Sequence, residues 1–484
     1  MPKRSTRRQF LSHSLAAGTS LAVPAVMSGP ARPSWAANDE IHIAVLGCGV
    51  MGGQHIQNFD RLPGVRVVAV SDPDLRRMNA KTAGLAHRPQ KHQDFRRILE
   101  DNSIDAVVIA SPNHWHSPMG IMACQAGKHA YVQKPVSHGI WEGRQLVNAA
   151  RKYDRIVQAG LQHRSDPAVA EVAEDIQSGK FGKVQWAHCM VLHTRDSIGL
   201  VTQPQPVDSE IDYDLWCGPA PNTPVLRKQF HYDWHWQWNW GDGEMGNWGP
   251  HYIDDLRHIL GWNDVPHNVL SAGSRLGWND NGETPNVHFA TFHHNGVRVV
   301  VDVRNLTRNA DSKDPIQYLG LVHGNVFMCE DAIVKIQRGR GWALAHDGTQ
   351  IKQYQGDAGG GHEANFIGAL RSGQRTDLNC EIEIGHLSTA MCHMANLSYR
   401  IGSQATVDEI RESVAEHPDA IDTLQAVIDH TQAHHLDLKA TPLTLGPRLR
   451  FDPDSERFLG SHATDANAQL RYEMRSKFAI PEQV

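Results

Sequence analysis

The stretch IHIAVLGCGVMGGQHIQNF places a glycine-rich turn between the pattern of a buried strand and the pattern of an amphipathic helix. Residues 41–46 predict the strand, three glycines follow in the spacing GxGxxG, and residues 65–70 predict a second strand that leads to Asp72. In such a unit the glycines permit a tight turn, close approach of a pyrophosphate and close helix packing, while the helix amides face the phosphate charge. The unit therefore predicts a dinucleotide site. Its predicted phosphate-turn residues are Gly47, Gly49, Val50, Met51 and Gly52.

The carboxylate of Asp72 indicates which dinucleotide is expected. It stands twenty residues after Gly52, where an acid holds the ribose hydroxyls and repels a 2'-phosphate. Arg76 and Arg77 follow closely and have the charge to attract that phosphate. The sequence therefore predicts NAD as the cofactor, with NADP as the second choice.

Two further turns follow predicted strands at residues 105–112 and 128–135. Ligands of parallel sheets bind at the carboxyl ends of the strands, so both turns are expected to contact the dinucleotide. Lys134 has two interpretations: an ordinary surface lysine, or a buried lysine with a lowered pKa that exchanges a hydroxyl proton or polarises the hydroxyl. The proline after it is compatible with a cis bond. The residues expected at the cofactor from these turns are Pro112, Asn113, His116, Gln133, Lys134 and Pro135.

Strand patterns without intervening helices characterise much of the second half of the chain. A hairpin is predicted around Asn295-Gly296, and helices are predicted at residues 361–373 and 384–402. Because consecutive strands form antiparallel sheets, the predicted fold class is an α/β Rossmann domain followed by an α+β domain. The predicted segments are 38–164 for the Rossmann domain, 165–435 for the α+β domain and 436–484 for an extended C-terminal strap.

The run FHYDWHWQWNW carries a tryptophan at every second position from Trp234 to Trp240. Alternation predicts that these rings share one face, which serves either as a platform for a sugar or as core or inter-subunit packing. From this run, Trp236 is the residue predicted to contact the substrate. Two more lie at the end of a strand predicted over residues 155–164, namely Gln162 and Arg164.

His251 follows a proline that predicts the start of a helix, with two aspartates one turn further on. Three interpretations stay open. It is a zinc ligand that shares the metal with His231 and His235, a hydrogen-bonded structural histidine, or a general acid/base. In the last case the imidazole accepts a hydroxyl proton at neutral pH while Lys134 stabilises the alkoxide. We prefer the acid/base hypothesis without a metal, and Asp254 is a further predicted substrate contact.

Four motifs in this order resemble the Gfo/Idh/MocA family, named after glucose-fructose oxidoreductase and inositol dehydrogenase: GxGxxG, the SPNxxH turn, the lysine-proline strand end and a later HxxD helix. The resemblance spans residues 40 to about 400. It implies a Rossmann domain followed by a domain with a large, open, mostly antiparallel sheet. That sheet would shield the nicotinamide and form the contact of a homo-oligomer, a dimer or a tetramer.

Two positions depart from the pattern of that family. The family normally carries an aspartate four residues before the helix histidine, but this chain has Asn247, which holds a hydroxyl or orients His251 without relaying a proton. The family commonly has glutamate where this chain has Gln133, which removes a charge beside Lys134 and eases its deprotonation. Lys134, His251 and Asn247 are the catalytic residues that the resemblance implies, and all three are expected to contact substrate.

The first 37 residues carry a basic head, a moderately apolar run and small residues suited to a signal peptidase. The motif STRRQFL matches a twin-arginine export signal, so the sequence predicts folded export to the periplasm and a mature protein without a membrane span. The formal net charge of −6, without a basic patch, argues against a nucleic-acid partner. Seven scattered cysteines predict buried, reduced thiols.

Export in the folded state implies that NAD is retained and regenerated in place. Three functions then fit: a sugar or polyol oxidoreductase, an NAD-dependent glycosidase that works by transient oxidation and elimination, and a non-catalytic sugar-binding protein. The glycosidase hypothesis rests on a resemblance to NAD-using N-acetylgalactosaminidases. The presence of Lys134 and His251 argues against the third function. We therefore favour the oxidoreductase, acting on a small sugar or glycoside.

Overall fold

A parallel sheet forms the first part of the structure, a computed structural model that describes residues 40–482 and 484. Its strands, in chain order, are β1 (Ile41–Leu46), β2 (Val65–Ser71), β3 (Gln90–His92), β4 (Ala106–Ile109), β5 (His129–Gln133) and β6 (Val157–Gly160). The strand order is β3-β2-β1-β4-β5-β6, and every neighbouring pair is parallel. This topology confirms the predicted Rossmann fold. The short β3 is a strand that the prediction did not include.

Helices cover both faces of this sheet. They are α1 (Val50–Asp60), α2 (Leu75–Thr82), α3 (Arg96–Leu99), α4 (Asn113–Gln125) and α5 (Ile140–Lys152). Along β1, Ile43 and Val45 pack into one hydrophobic cluster, whereas Ala44 and Leu46 pack into another. Both faces of the strand are therefore buried, which explains its continuous apolar sequence.

A twelve-stranded sheet organises the second part. Its strands are β7 (Val184–Val191), β8 (Asn268–Ser274), β9 (Val287–His294), β10 (Val297–Arg304), β11 (His323–Cys329), β12 (Ile333–Gln337), β13 (Arg340–Leu344), β14 (Gln350–Gln355), β15 (Ser403–Ala405), β16 (Leu443–Leu445), β17 (Leu449–Asp452) and β18 (Arg457–Leu459). The order is β14-β13-β12-β11-β7-β10-β9-β8-β16-β15, with β17 paired to β8 and β18. Only the β7–β10 pair is parallel among the described strands of this sheet, which confirms the mostly antiparallel prediction.

The helices of the second part support this sheet and connect it to the first. They are α6 (Pro167–Gln177), α7 (Tyr213–Cys217), α8 (Gly243–Asn247), α9 (Gly249–Ile259), α10 (His362–Ser372), α11 (Ile382–Arg400), α12 (Val407–Ser413), α13 (Pro418–Gln432) and α14 (Ala463–Ala468). The helices α10 and α11 confirm the two helices predicted there. The predicted hairpin is also confirmed, since Asn295 and Gly296 take φ values of 49° and 80°, as the tight turn between β9 and β10 requires.

The C-terminal segment is more ordered than the predicted extended strap. Its residues form β16, β17, β18 and α14, because buried apolar side chains such as Leu443 and Leu449 join the core of the second part. Further on, Phe478 packs its ring 5.2 Å from that of Trp115, beside the parallel sheet. The C-terminal segment therefore contains short strands and a helix, while its assignment as a separate strap stays a prediction.

Two predictions concern the N-terminus and membranes. The predicted export signal, residues 1–37, lies outside the described residues. Within the described part, no helix has the length and apolar character needed to cross a bilayer. All seven cysteines are buried, and none of them is in a disulfide with another described residue.

Candidate functional site

A cavity of about 590 Å³ opens at the carboxyl ends of the parallel strands. Every strand end that the sequence singled out reaches it, and segments of the second part close its other side. Its size lies in the range of small-molecule and cofactor sites. The lining residues used below are Gly47, Gly49, Val50, Met51, Asp72, Arg77, Pro112, Asn113, His116, Gln133, Lys134, Gln162, His163, Arg195, Asn247, Trp248, His251, Arg338 and Glu363.

The glycine turn after β1 is shaped for close approach of a ligand to the backbone. Gly47 has φ +95°, and a Cβ there would lie 2.5 Å from the carbonyl oxygen of Ala110. A Cβ on Gly52 would lie only 1.7 Å from the carbonyl oxygen of Gly47. Gly49 caps α1 without a side-chain hydrogen bond, which leaves amides of the first helical turn for a phosphate. These residues fit a dinucleotide.

Asp72 fixes the turn from the neighbouring strand. Its carboxylate oxygens accept hydrogen bonds from the amides of Cys48 (2.7 Å) and Asp74 (2.9 Å), and burial raises its pKa. Of the two nearby arginines, Arg76 binds Asp74 and points away from the cavity lining. Arg77 lines the cavity, and its Nη2 would lie 3.4 Å from a Cβ on Gly49.

The SPNxxH turn links the two strand ends through His116. The ring nitrogens lie 2.6 Å from the carbonyl oxygen of Pro135 and 2.7 Å from that of Ser111. Burial lowers the pKa of His116 to about 4. Asn113 donates to Asp242 at 2.8 Å, so its amide is held in place as well. These side chains therefore shape the cofactor end of the cavity chiefly by fixing its turns.

Lys134 reaches from the end of β5 into the cavity. Its Nζ donates to the carbonyl oxygen of Asn247 at 2.7 Å and to the Oδ1 of Asn247 at 3.1 Å. Burial lowers the pKa of Lys134 to about 8, while Glu244 raises it and Arg195 lowers it. The peptide bond between Lys134 and Pro135 is cis. The lysine is therefore half-buried and positioned, unlike an ordinary surface lysine.

Gln133 turns away from the ammonium group of Lys134. Its Nε2 lies 2.7 Å from the Nε2 of His55, and its Oε1 accepts the backbone amide of Lys134 at 3.3 Å. His55 in turn contacts Glu363 through Nδ1 at 3.1 Å. An amide, a histidine from α1 and a carboxylate from α10 thus support the strand end. Sequence reasoning missed His55 and Glu363 because they lie far apart along the chain.

His251 lies at the start of α9, beside a histidine that the sequence reasoning passed over. Its ring stacks on that of His163, with centroids 4.9 Å apart and an interplanar angle of 26°. His163 contacts Asp255 from Nδ1 at 2.9 Å, whereas the Nδ1 of His251 is buried without a described hydrogen-bond partner. Burial lowers the pKa of His251 well below its usual value, and the charges of His163 and Lys134 lower it further. The one sequence signal for His163 is its position directly after β6.

Two arginines that the sequence analysis did not predict also line this end of the cavity. Arg195 pairs with the fully buried Glu244, at 3.0 Å from Nη2 to Oε1. Arg338, in the turn between β12 and β13, lines the cavity and makes no hydrogen bond or ion pair with another described residue. The short loop at residues 357–360 packs on Gln162, where a Cβ on Gly359 would lie 2.1 Å from the carbonyl oxygen of Gln162.

Several predicted contacts are not on the cavity. Arg164 and Asp254 form a buried ion pair, with 2.8 Å between Nε and Oδ2, and neither lines the cavity. Trp236 is 3% exposed and also lies outside the lining. Trp234 lines the cavity and Trp236 does not, because residues 233–236 form a 3₁₀ turn instead of a strand. Gln162 does line the cavity, but its amide donates to the hydroxyl of Tyr131 at 2.9 Å.

The zinc interpretation of His251 requires its partners to converge on one point. His231 instead contacts Asp74 at 3.0 Å, and the ring of His235 stacks on that of Trp234 at 3.7 Å. No group of three or more potential ligands that could hold a metal occurs within the described residues. The structure therefore does not bring the proposed zinc ligands together.

Comparison with known proteins gives the same picture of two domains. Residues 41–161 match the family described as "Oxidoreductase family, NAD-binding Rossmann fold", and residues 196–432 match "Oxidoreductase family, C-terminal alpha/beta domain". The chain is 30% identical to inositol 2-dehydrogenase 4 of Saccharopolyspora erythraea over 37% of its length and 54% of that protein. It is 27% identical to a glycosyl hydrolase family 109 protein of Shewanella pealeana, over 32% of its length and 36% of that protein.

Solved structures agree on the fold. The WlbA dehydrogenase of Bordetella pertussis, crystallised with NADH and UDP-GlcNAcA, superimposes with a TM-score of 0.57 at 18% identity, covering 75% of this chain and 97% of that one. The sequence matches to curated relatives are shorter, since the first of them spans only 54% of the relative's length. The two family matches nevertheless cover most of this chain in the order that the fold requires. The chain belongs to the Gfo/Idh/MocA family of oxidoreductases, with an NAD-binding Rossmann fold in its first part.

Proposed function

We propose that the protein is an NAD-linked oxidoreductase that acts on a CH–OH group of a sugar, a polyol or a glycoside. The observation that carries this proposal is the position of Lys134, whose Nζ lies in the same cavity as the phosphate turn and is fixed by Asn247. A lysine with a lowered pKa beside a dinucleotide site is suited to a reacting hydroxyl. The named inositol dehydrogenase relative supports a polyol or sugar as substrate.

NAD, when bound, supplies a two-electron acceptor for the hydride from the carbon that bears the hydroxyl. The residues that would hold it are Gly47, Gly49, Val50, Met51, Asp72, Pro112 and Asn113. Lys134 Nζ donates to the hydroxyl oxygen and stabilises the negative charge that develops there. His251, on the same cavity, contacts this hydroxyl and is the first candidate to exchange its proton. Asn247 orients the lysine, because an amide does not exchange a proton at neutral pH.

A second candidate is cleavage of a glycoside without net redox change, supported by the similarity to the glycosyl hydrolase family 109 protein. Oxidation of the sugar would permit elimination of the aglycone, and addition of water and re-reduction would complete the cycle. NADH then does not accumulate, whereas net oxidation by added NAD releases it. A non-catalytic sugar-binding protein is the third candidate, and in that case replacing Lys134 changes no reaction.

The compartment and the assembly are further parts of the proposal. The twin-arginine motif in residues 1–37 supports folded export to the periplasm, with the cofactor already bound. The resemblance to the family supports a homo-oligomer. Replacing both Arg7 and Arg8 by lysine should keep the protein in the cytoplasm, which fractionation measures directly, and light scattering of the purified protein gives its mass in solution.

The experiment that tests the function begins with the protein as purified. It is denatured, and the supernatant is assayed for NAD, NADH and NADP(H). We expect stoichiometric NAD(H). The intact protein is then given myo-inositol, glucose, levoglucosan and nitrophenyl glycosides, with absorbance recorded for NADH and for released nitrophenol. NADH formation supports the oxidoreductase, nitrophenol release without NADH supports the glycosidase, and protein that neither holds nor binds NAD overturns both.

A further inference from the structure

We propose that His163, held by Asp255, is a second acid/base residue of the cavity and that it, not His251, carries the proton after the substrate hydroxyl has lost it. The inference rests on the proposed function and deepens it, because it assigns the proton to a different atom. The two imidazoles lie side by side on the same cavity, so both are placed to reach one substrate. They differ in the hydrogen-bond partner of their Nδ1 atoms.

The Nδ1 atom of His163 has a carboxylate as its hydrogen-bond partner. Asp255 is 2% exposed, and its Oδ2 lies 2.9 Å from Nδ1 of His163. An ionised Asp255 accepts a hydrogen bond from Nδ1–H of His163, and in this neutral tautomer Nε2 carries no proton. No described residue hydrogen-bonds that Nε2, although the residue lines the cavity. A carboxylate placed in this way orients an imidazole and stabilises the positive charge it acquires on protonation.

His251 has no such carboxylate partner among the described residues. Its Nδ1 is buried and without a described hydrogen-bond partner, so no carboxylate compensates a positive ring. Burial, His163, Lys134 and Arg338 all lower the pKa of His251. A base must be able to hold the proton that it accepts. His251 is therefore suited to contact the hydroxyl while it stays neutral.

The groups that face His163 come from α9, from β11 and from the turn that carries His163 itself. From α9 come Asp255, the ring of His251 and the ring of Tyr252, whose centroid lies 5.6 Å from that of His163. From β11 comes His323, whose pKa is lowered to about 4, chiefly by burial, with His163 among the charges that lower it further. The adjacent Arg164 is neutralised by its pairing with Asp254. The one uncompensated anion among these groups is Asp255, and burial raises its pKa while His163 opposes that shift.

The proposed proton transfer involves only the substrate hydroxyl, His163 and Asp255. The O–H bond of the substrate breaks, its proton forms an N–H bond at Nε2 of His163, and the positive ring is paired with the Asp255 carboxylate. The hydrogen on the substrate carbon leaves with two electrons as the hydride described above, so the substrate carbon becomes a carbonyl. Lys134 Nζ stays on the substrate oxygen throughout and keeps its own proton.

The first experiment determines the tautomer of His163 by NMR, in the absence of substrate turnover. The full protein is labelled at the histidine rings only, and nitrogen NMR signals are recorded, with the His163 signal identified by its loss in His163→Gln. We expect a protonated Nδ1 and an unprotonated Nε2 near neutral pH. Asp255→Asn should shift His163 towards the other tautomer. A wild-type His163 that carries its proton on Nε2 and not on Nδ1 would overturn the proposal.

The second arm measures oxidation of whichever polyol of the panel the wild type accepts. His163→Ala should lower kcat by about 10²- to 10⁴-fold, the usual worth of a general base, and added imidazole should restore part of the rate. His251→Ala should mainly raise KM and show no imidazole rescue. His258→Gln is the matched control, since His258 lies on α9, outside the cavity lining. NAD binding, followed by tryptophan fluorescence, and the unfolding temperature establish that each variant is folded.

Asp255→Asn keeps the shape of the side chain and removes its charge. It should lower kcat, because the positive ring that His163 forms on accepting the proton then has no carboxylate partner to stabilise it. Active wild type with a His163→Ala rate equal to that of the His258 control, or imidazole rescue of His251→Ala instead, overturns this inference alone. A wild type that binds NAD but oxidises none of the panel overturns the proposed function, and the inference falls with it.

Discussion

The two ends of the cavity are built in different ways. The cofactor end is formed by backbone turns at the ends of neighbouring parallel strands, with Gly47 and Gly52 close together in sequence. The substrate end is formed by side chains that distant segments supply: Lys134 after β5, His163 after β6, His251 on α9 and Arg338 between two strands of the large sheet. The cofactor end therefore tolerates almost no added volume, whereas the substrate end depends on individual functional groups.

This difference predicts the largest effect at Gly52. In Gly52→Ala the new Cβ would stand 1.7 Å from the carbonyl oxygen of Gly47, so the backbone of the phosphate turn must move. We expect loss of NAD binding, measured by fluorescence titration, together with a lowered unfolding temperature. Gly53→Ala is the matched control. Its Cβ would meet only the flexible side chain of Lys81, and alanine is the better helix former. Equal NAD affinity in the two variants would contradict the comparison.

The same difference explains how far the sequence could predict each end. The turn at residues 47–52 and its flanking strands are local, so spacing and hydrophobic pattern were sufficient to predict them, and the fold and the family comparison both agree with that prediction. Lys134 was found because it ends a buried strand that carries a recognisable motif. His163 also follows a strand, in the 3₁₀ turn after β6, but its surroundings are set by Asp255, 92 residues away, and by the ring of His251 on the same distant helix. No local sequence pattern predicts a contact between residues so far apart in the chain.

Some predicted substrate contacts lie off the cavity for a similar reason. Arg164 and Asp254 have suitable chemistry for substrate binding, yet they neutralise each other in the interior, since a buried charge requires a partner. The alternation of tryptophans predicted a strand, but residues 233–236 form a 3₁₀ turn, and Trp236 became buried. In a segment this rich in aromatic residues, tryptophans at every second position pack in several directions and do not by themselves indicate a strand. The large sheet, in contrast, followed from strand patterns and from the glycine turn at Gly296.

The substrate end should respond to loss of one functional group while the cofactor end stays intact. Lys134→Ala removes the charge that stabilises the developing oxyanion but leaves the glycine turn untouched. We expect kcat to fall by about 10²- to 10⁴-fold with the affinity for NAD nearly unchanged. Steady-state rates with an accepted polyol and a fluorescence titration with NAD separate the two effects. A parallel loss of NAD affinity would mean that the two ends are not separable at this residue.

The pH dependence sharpens the role of that lysine. The pKa of Lys134 is lowered to about 8, chiefly by burial, so the side chain is charged below that pH and neutral above it. If the charged form stabilises the oxyanion, the rate is retained at lower pH and falls about tenfold per pH unit above pH 8. Lys134→Arg stays charged, so its slower reaction should lack this alkaline limb. A rate that instead rises through pH 8 would identify neutral Lys134 as the base.

The smallest expected effect lies within the cofactor end and compares two adjacent arginines. Arg77 lines the cavity beside Gly49, whereas Arg76 is held by Asp74 and by Asp208. Arg77→Ala should weaken NAD binding only a few-fold, because a charge contact near the protein surface contributes about 0.2–1 kcal/mol, while Arg76→Ala leaves the affinity unchanged. Titration with NADP discriminates further. If Arg77 reaches a 2'-phosphate in spite of Asp72, its loss weakens NADP far more than NAD. If the Asp72 carboxylate governs selection, NADP binds weakly in both variants and in the wild type, and the contribution of Arg77 is confined to the phosphates that both nucleotides share.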